Sequence, residues 1–148
     1  FNNKDLLAAE HGPRGGDELN LIKKGVDYGW PIVTYGQAYS SGDYVRPTRP
    51  GTHDGFELPI YQWTPSVAAT ELVQLPQTGD WGAWSSQLVM GTLKNESLIF
   101  IQLLSKERVG QVSAVDVGER VRDLELLPNG KLLATTDSGK ILLIGGGA

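Results

Sequence analysis

At 148 residues, 40% of them hydrophobic, the chain is long enough to bury a real core, and one compact unit is the expectation. Its net charge of −4, with a pI near 5.1 and no long basic run, excludes a nucleic-acid backbone as the natural partner and favours a sugar or another neutral solute. The absence of cysteine excludes disulfides and thiolate metal sites while leaving the compartment open, and no apolar run reaches the roughly 18 to 20 residues that cross a bilayer, so no membrane role is expected.

The chain starts at Phe1, without Met, in what reads as structured sequence, and ends in Gly145-Gly146-Gly147-Ala148. A fragment or processed piece of something longer is the expectation. The first informative stretch is Glu10-His11-Gly12-Pro13-Arg14-Gly15-Gly16-Asp17-Glu18-Leu19-Asn20-Leu21-Ile22, where glycines, a proline and acids precede an apolar, strand-like run. Glycine lets backbone carbonyls and amides approach a ligand, and proline fixes the adjoining turn. Acids in such a loop suit a hard cation that takes oxygen ligands, although the spacing is not that of an EF-hand. From spacing alone, Asp17 and Glu18 read first as turn caps or solvated loop acids.

Next comes Gly25-Val26-Asp27-Tyr28-Gly29-Trp30-Pro31, and then residues 36–59, with Ser40-Ser41-Gly42-Asp43, Arg46-Pro47, Arg49-Pro50-Gly51 and Asp54-Gly55, which read as a long irregular surface connection. Trp30, Tyr35, Tyr39, Tyr61 and Trp63 group around it, available for stacking or for packing. His53, beside Asp54, reads as solvated.

Helical periodicity is poor, and nineteen glycines with eight prolines recur too closely for long helices, so the chain is expected to be all-β. The clearest strands are 88–92, 97–104, 112–117, 121–127, 131–136 and 141–144, the last three joined by Pro128-Asn129-Gly130 and Asp137-Ser138-Gly139 into a meander. Residues 120–144 look like most of one propeller blade and 86–117 like the blade before it.

Lys94 follows Gly91-Thr92-Leu93 at the end of an apolar strand, where propeller loops face the central channel. In Arg120-Val121-Arg122-Asp123 the two arginines alternate and share a side, which favours an anion between them. A surface bridge to Glu119 or Asp123 is the alternative. There is no Gly-x-Ser-x-Gly elbow, phosphate-binding loop or dinucleotide fingerprint, and two distant histidines do not define a zinc site.

The ordered set of the 10–22 loop, Tyr28 to Pro31, Gly91 to Lys94 and Arg120 to Asp123 resembles the C-terminal part of the soluble aldose sugar dehydrogenases, the glucose/sorbosone dehydrogenase family. The resemblance runs from about Leu7 to Ile144. It implies a six-bladed β-propeller of which this chain holds about two to two and a half blades, and an enzyme that uses pyrroloquinoline quinone (PQQ) and calcium. By resemblance, Glu18 and the Tyr28 carbonyl are ligands of one calcium, and the Gly12 and Pro13 carbonyls face the calcium that holds the quinone. Tyr39, Thr92, Leu93, Lys94, Arg120, Val121 and Arg122 match the cofactor site, with Trp63 a weaker candidate lining the cleft. The substrate implied is an aldose, and the location periplasmic or secreted. The family's catalytic histidine lies in a motif of the N-terminal half that this chain lacks, so His11 is not assigned as the base and the chain alone is expected to be inactive. A ring this incomplete leaves strand edges open, and either the N-terminal half of the propeller or further copies of the chain would cover them. The competing reading is a non-catalytic, self-assembling β module with a retained calcium loop.

Overall fold

A computed structural model describes residues 5–40, 46–77 and 79–145. The chain start, Ser41 to Asp43 and Gly146 to Ala148, singled out above, lie outside the described residues. The described residues hold no α-helix and one short 3-10 turn, Gly82–Trp84, so the all-β expectation holds. Two compact units divide the chain, residues 1–68 and residues 69–148.

In the first unit, β1 (Leu6–Glu10) and β2 (Asp17–Ile22) form an antiparallel hairpin with Glu10 paired to Glu18, and β5 (Tyr61–Trp63) pairs along the other side of β2. β2 is buried from Asp17 to Leu21, as the middle strand of this sheet. The 36–59 connection is pinned rather than free: β3 (Val33–Thr34) pairs in parallel with β4 (Arg49–Pro50), and isolated bridges join Arg14 to Gln37 and Thr34 to Thr52.

In the second unit, β6 (Ala69–Gln74), β7 (Leu88–Thr92), β8 (Ser97–Ser105) and β9 (Arg108–Asp116) make a four-stranded antiparallel meander. β10 (Val121–Leu126), β11 (Leu132–Thr136) and β12 (Ile141–Ile144) make a three-stranded one. β7 is buried throughout and apolar as far as Gly91, the signature of a strand covered on both faces, whereas β11 alternates buried and half-buried positions. The core gathers Leu75, Trp81, Val89, Leu98, Phe100, Val121, Leu124, Leu132 and Ala134, with Trp84 stacked on Phe100 and Trp81 Nε1 donating to the Gly130 carbonyl at 2.7 Å.

At Gly91 the two sheets of this unit come so close that a β-carbon would sit 2.5 Å from Thr70 Oγ1 and 2.7 Å from Val121 Cγ1. Thr70 Oγ1 in turn donates to the Val121 carbonyl at 3.1 Å, tying β6 to β10. One four-stranded and two three-stranded antiparallel sheets supply the strands of about two and a half propeller blades, which makes the fold a partial β-propeller.

Candidate functional site

Alternation along β2 puts Glu18 and Asn20 on one face, and the β1–β2 register sets Glu10 directly across from Glu18. Like charges so placed repel. Here one amide bridges them: Asn20 Nδ2 donates to Glu10 Oε1 at 3.0 Å and to Glu18 Oε2 at 3.2 Å. Glu18 is 6% exposed and Asn20 fully buried. Burial pushes the Glu18 carboxyl above its ordinary range, against hydrogen bonding from Asn20 and His53, and the facing Glu10 adds to the rise.

His53 is the chief surprise. Expected in solvent, it is 3% exposed, its Nε2 lies 2.6 Å from Glu18 Oε1, and its Nδ1 lies 3.0 Å from the Glu57 carbonyl. Tyr35 stacks on its ring at 5.0 Å between centroids. The reason is physical: a buried carboxylate needs partners at both oxygens, and Asn20 serves Oε2 while a loop residue 35 positions away serves Oε1.

Glu10, Gly12, Glu18, Tyr28, Thr34 and His53 contribute to the lining of a small cavity of about 80 Å³ in the first unit. Tyr28 is anchored there, its hydroxyl donating to the Leu21 carbonyl at 2.6 Å and accepting the Lys23 amide at 2.9 Å. Among the described residues no three His, Asp or Glu side chains converge as a metal cluster, so a cation here would take oxygens of mixed origin. The donor set fits one. Two facing carboxylates share a single amide donor, and Asn20 Oδ1 is buried with no hydrogen-bond partner, so the network holds more acceptor oxygens than donors.

Asp17, weighed above as a second cation ligand, has another task. Its Oδ1 accepts the Gly12 amide at 2.9 Å, and its Oδ2 accepts Ser66 Oγ and the amides of Val67 and Ala68 at 2.7 to 2.8 Å. The carboxylate is fully buried and organises the 12–17 loop from inside. Pro13 is buried and its carbonyl accepts the hydroxyl of Tyr39 at 2.9 Å, while the Tyr39 ring is 44% exposed. Trp63 is 8% exposed, packed edge-on against Tyr61.

In the second unit, Arg120 and Arg122 do share a side, and the anion between them is Asp137. Arg120 Nε donates to Asp137 Oδ2 at 2.6 Å, and Arg122 holds both Asp137 oxygens. This corrects the partners proposed for a surface bridge, because Glu119 pairs with Lys140 instead and Asp123 accepts the Leu124 amide. The two arginines hold the Asp137 carboxyl below its ordinary range, Arg122 contributing most, and Asp137 raises the Arg122 guanidinium.

Arg120 Nη1 also donates to the Leu93 carbonyl at 3.3 Å, which brings the 91–94 turn against the arginine pair. Lys94 is exposed there. Thr92 and Val121 are fully buried, and Thr92 Oγ1 is committed to Ser97, so neither offers a side chain to a ligand. Two guanidiniums against one carboxylate leave the Arg120, Arg122 and Asp137 cluster with a net positive charge that a further anion can answer.

The family model "Glucose / Sorbosone dehydrogenase" matches residues 1–143. Aldose sugar dehydrogenase YliI of Escherichia coli (strain K12) is 34% identical over 143 residues, 94% of this chain and 38% of the relative. Quinoprotein glucose dehydrogenase B of Acinetobacter calcoaceticus is 58% identical over 31 residues, 21% of this chain and 6% of the relative. A crystal structure of a glucose dehydrogenase superposes with a TM-score of 0.86 at 33% identity, over 98% of this chain and 42% of that one. The chain therefore spans less than half the length of the relatives it matches.

Proposed function

Because this chain belongs to the glucose/sorbosone dehydrogenase family, we propose that it is the C-terminal portion of a PQQ- and calcium-dependent dehydrogenase that oxidises aldoses at the anomeric carbon. The observation that carries the reading is Glu18, a buried carboxylate facing a second carboxylate across the strand pair, in a cavity that Tyr28 also lines. Such a pair is stable when a cation compensates it, and Glu18 with the Tyr28 carbonyl would hold calcium there. Gly12 and Pro13 would present carbonyls to the calcium beside the quinone, with Tyr39 fixing the Pro13 peptide.

PQQ, a planar tricarboxylate with ortho-quinone oxygens, supplies hydride acceptance when bound. Lys94, Arg120 and Arg122 would bind its carboxylates and orient it, Asp137 keeping the arginines fixed beforehand. Leu93 and Val121 would form the packing beneath those cations, and Thr92 the anchored turn. The base that takes the sugar hydroxyl proton is assigned to residues outside this chain, consistent with the exposed, loop-borne position of His11. A periplasmic or secreted location belongs to the same proposal.

Dye reduction with glucose tests it. The full-length protein loaded with calcium and PQQ is expected to turn over and the 148-residue chain alone is not; robust turnover by the isolated chain would overturn the assignment of the base.

A second reading is favoured by β12, where Ile141 and Leu143 are 68% and 59% exposed on the last strand of its sheet. An apolar strand edge of that kind invites pairing, and a non-catalytic module assembling through it would give a discrete oligomer by light scattering.

A further inference from the structure

We propose that His53 is a positioning residue for the cation site, holding Glu18 with one oxygen turned to the metal; this rests on the cation reading of Glu18 given above. The imidazole is itself held on three sides, by Glu18 Oε1 at 2.6 Å, by the Glu57 carbonyl at 3.0 Å and by the stacked ring of Tyr35. It is 3% exposed, so its orientation is set by packing and not by solvent.

On the opposite oxygen of Glu18, Asn20 Nδ2 stands at 3.2 Å and is shared with Glu10. Glu18 is thus clamped at both oxygens by neutral or cationic donors from two different elements, β2 and the 51–60 loop. Each carboxylate oxygen carries a second acceptor direction that the clamp leaves open. A carboxylate oriented in advance loses less freedom when a metal arrives, and partners of this kind sustain metal affinity although they never touch the ion. The geometry also gives the buried histidine of an otherwise irregular loop a task, since its Nε2 meets Glu18 Oε1 from 35 positions away.

The test separates the two contacts of the ring. His53→Asn retains a donor near the Nδ1 position for the Glu57 carbonyl but falls short of Glu18, whereas His53→Gln reaches Glu18 with an amide. In the full-length protein carrying these residues, calcium titrated by calorimetry is expected to bind about 10- to 100-fold more weakly to His53→Asn and within about threefold of the parent to His53→Gln. Equal affinity in His53→Asn overturns the proposal. Calcium binding in the parent that survives Glu18→Gln unchanged overturns the cation reading itself, and His53 falls with it.

Should His53→Asn fail to fold, the unsubstituted protein with ¹⁵N-labelled histidine gives the answer. The His53 Nε2 resonance is expected to shift and saturate with calcium while Nδ1 stays in place. A His53 signal indifferent to saturating calcium overturns the role.

Discussion

Asp17 Oδ2 accepts the backbone amide of Ala68 at 2.7 Å although 51 residues separate them, and the same oxygen takes the Val67 amide and the Ser66 hydroxyl. Asp17→Ala strips partners from three backbone amides at once, that of Val67 buried and those of Gly12 and Ala68 partly so. The expected loss is about 3 kcal/mol or more, read from urea denaturation, with Asp17→Asn intermediate. A loss below about 1 kcal/mol would show that water replaces the carboxylate easily.

Gly16 and Gly25 share a left-handed backbone, with φ of +72° and +76°, but differ in surroundings. A β-carbon on Gly16 would lie 2.3 Å from the Gly36 nitrogen, and one on Gly25 would meet nothing within 4 Å. Gly25→Ala is therefore expected to cost about 1 kcal/mol, the price of the conformation alone. Gly16→Ala adds a backbone collision and is expected to cost at least about 3 kcal/mol, because the two segments are held together by the paired Arg14–Gln37 backbone bonds and cannot part without losing them. Thermal melting of the two variants side by side distinguishes them.

Asp137 and Glu119 both titrate below their ordinary values, the first through Arg122 and Arg120, the second through Lys140 and Ser138. A carboxyl lowered on folding contributes stability above its unfolded value and loses it as pH falls through the folded one. Stability should thus decline on the acid side, below about pH 4, and Asp137→Asn should flatten part of that decline. Asp137 is exposed, so its share is small; an unchanged acid slope in Asp137→Asn would show that the arginine pairing contributes nothing on folding.

Arg122→Gln removes an exposed cation paired to Asp137. Exposed pairs of this kind contribute little to stability, so melting should barely move. PQQ affinity of the full-length protein should fall about tenfold, the loss of one charge-assisted contact. Fluorescence titration reads it, and unaltered PQQ binding would remove Arg122 from the cofactor face.

The strands of the second unit were legible because they carry their own signals. β7 is an apolar run as far as Gly91, and β10 to β12 are punctuated by Asn-Gly and Ser-Gly turns. β9 begins at Arg108, earlier than expected, because its first residues are polar and paired at the sheet's edge. β1 and β6 went unread, as each is short and mixed, and acquires strand form from its partner across the ladder.

In the candidate site, Glu18 was visible in its loop, and Asn20 two residues on could have been added from strand alternation. His53 could not, since its partner is 35 positions distant and nothing local marks the ring as buried. Asp137 escaped for the same reason: the nearest acids in sequence to Arg120 and Arg122 are Glu119 and Asp123, yet the β10–β11 pairing delivers the carboxylate from the far end of the hairpin.

The close approach at Gly91 constrains how this sequence can drift. Alanine at 91 collides with both Thr70 Oγ1 and Val121 Cγ1, and Val121→Ala alone leaves a void worth about 2 kcal/mol. Shrinking the valine still leaves the threonine collision in place. Gly91, Thr70 and Val121 are thus bound to one another, and a lineage that retains two of them has little room to alter the third.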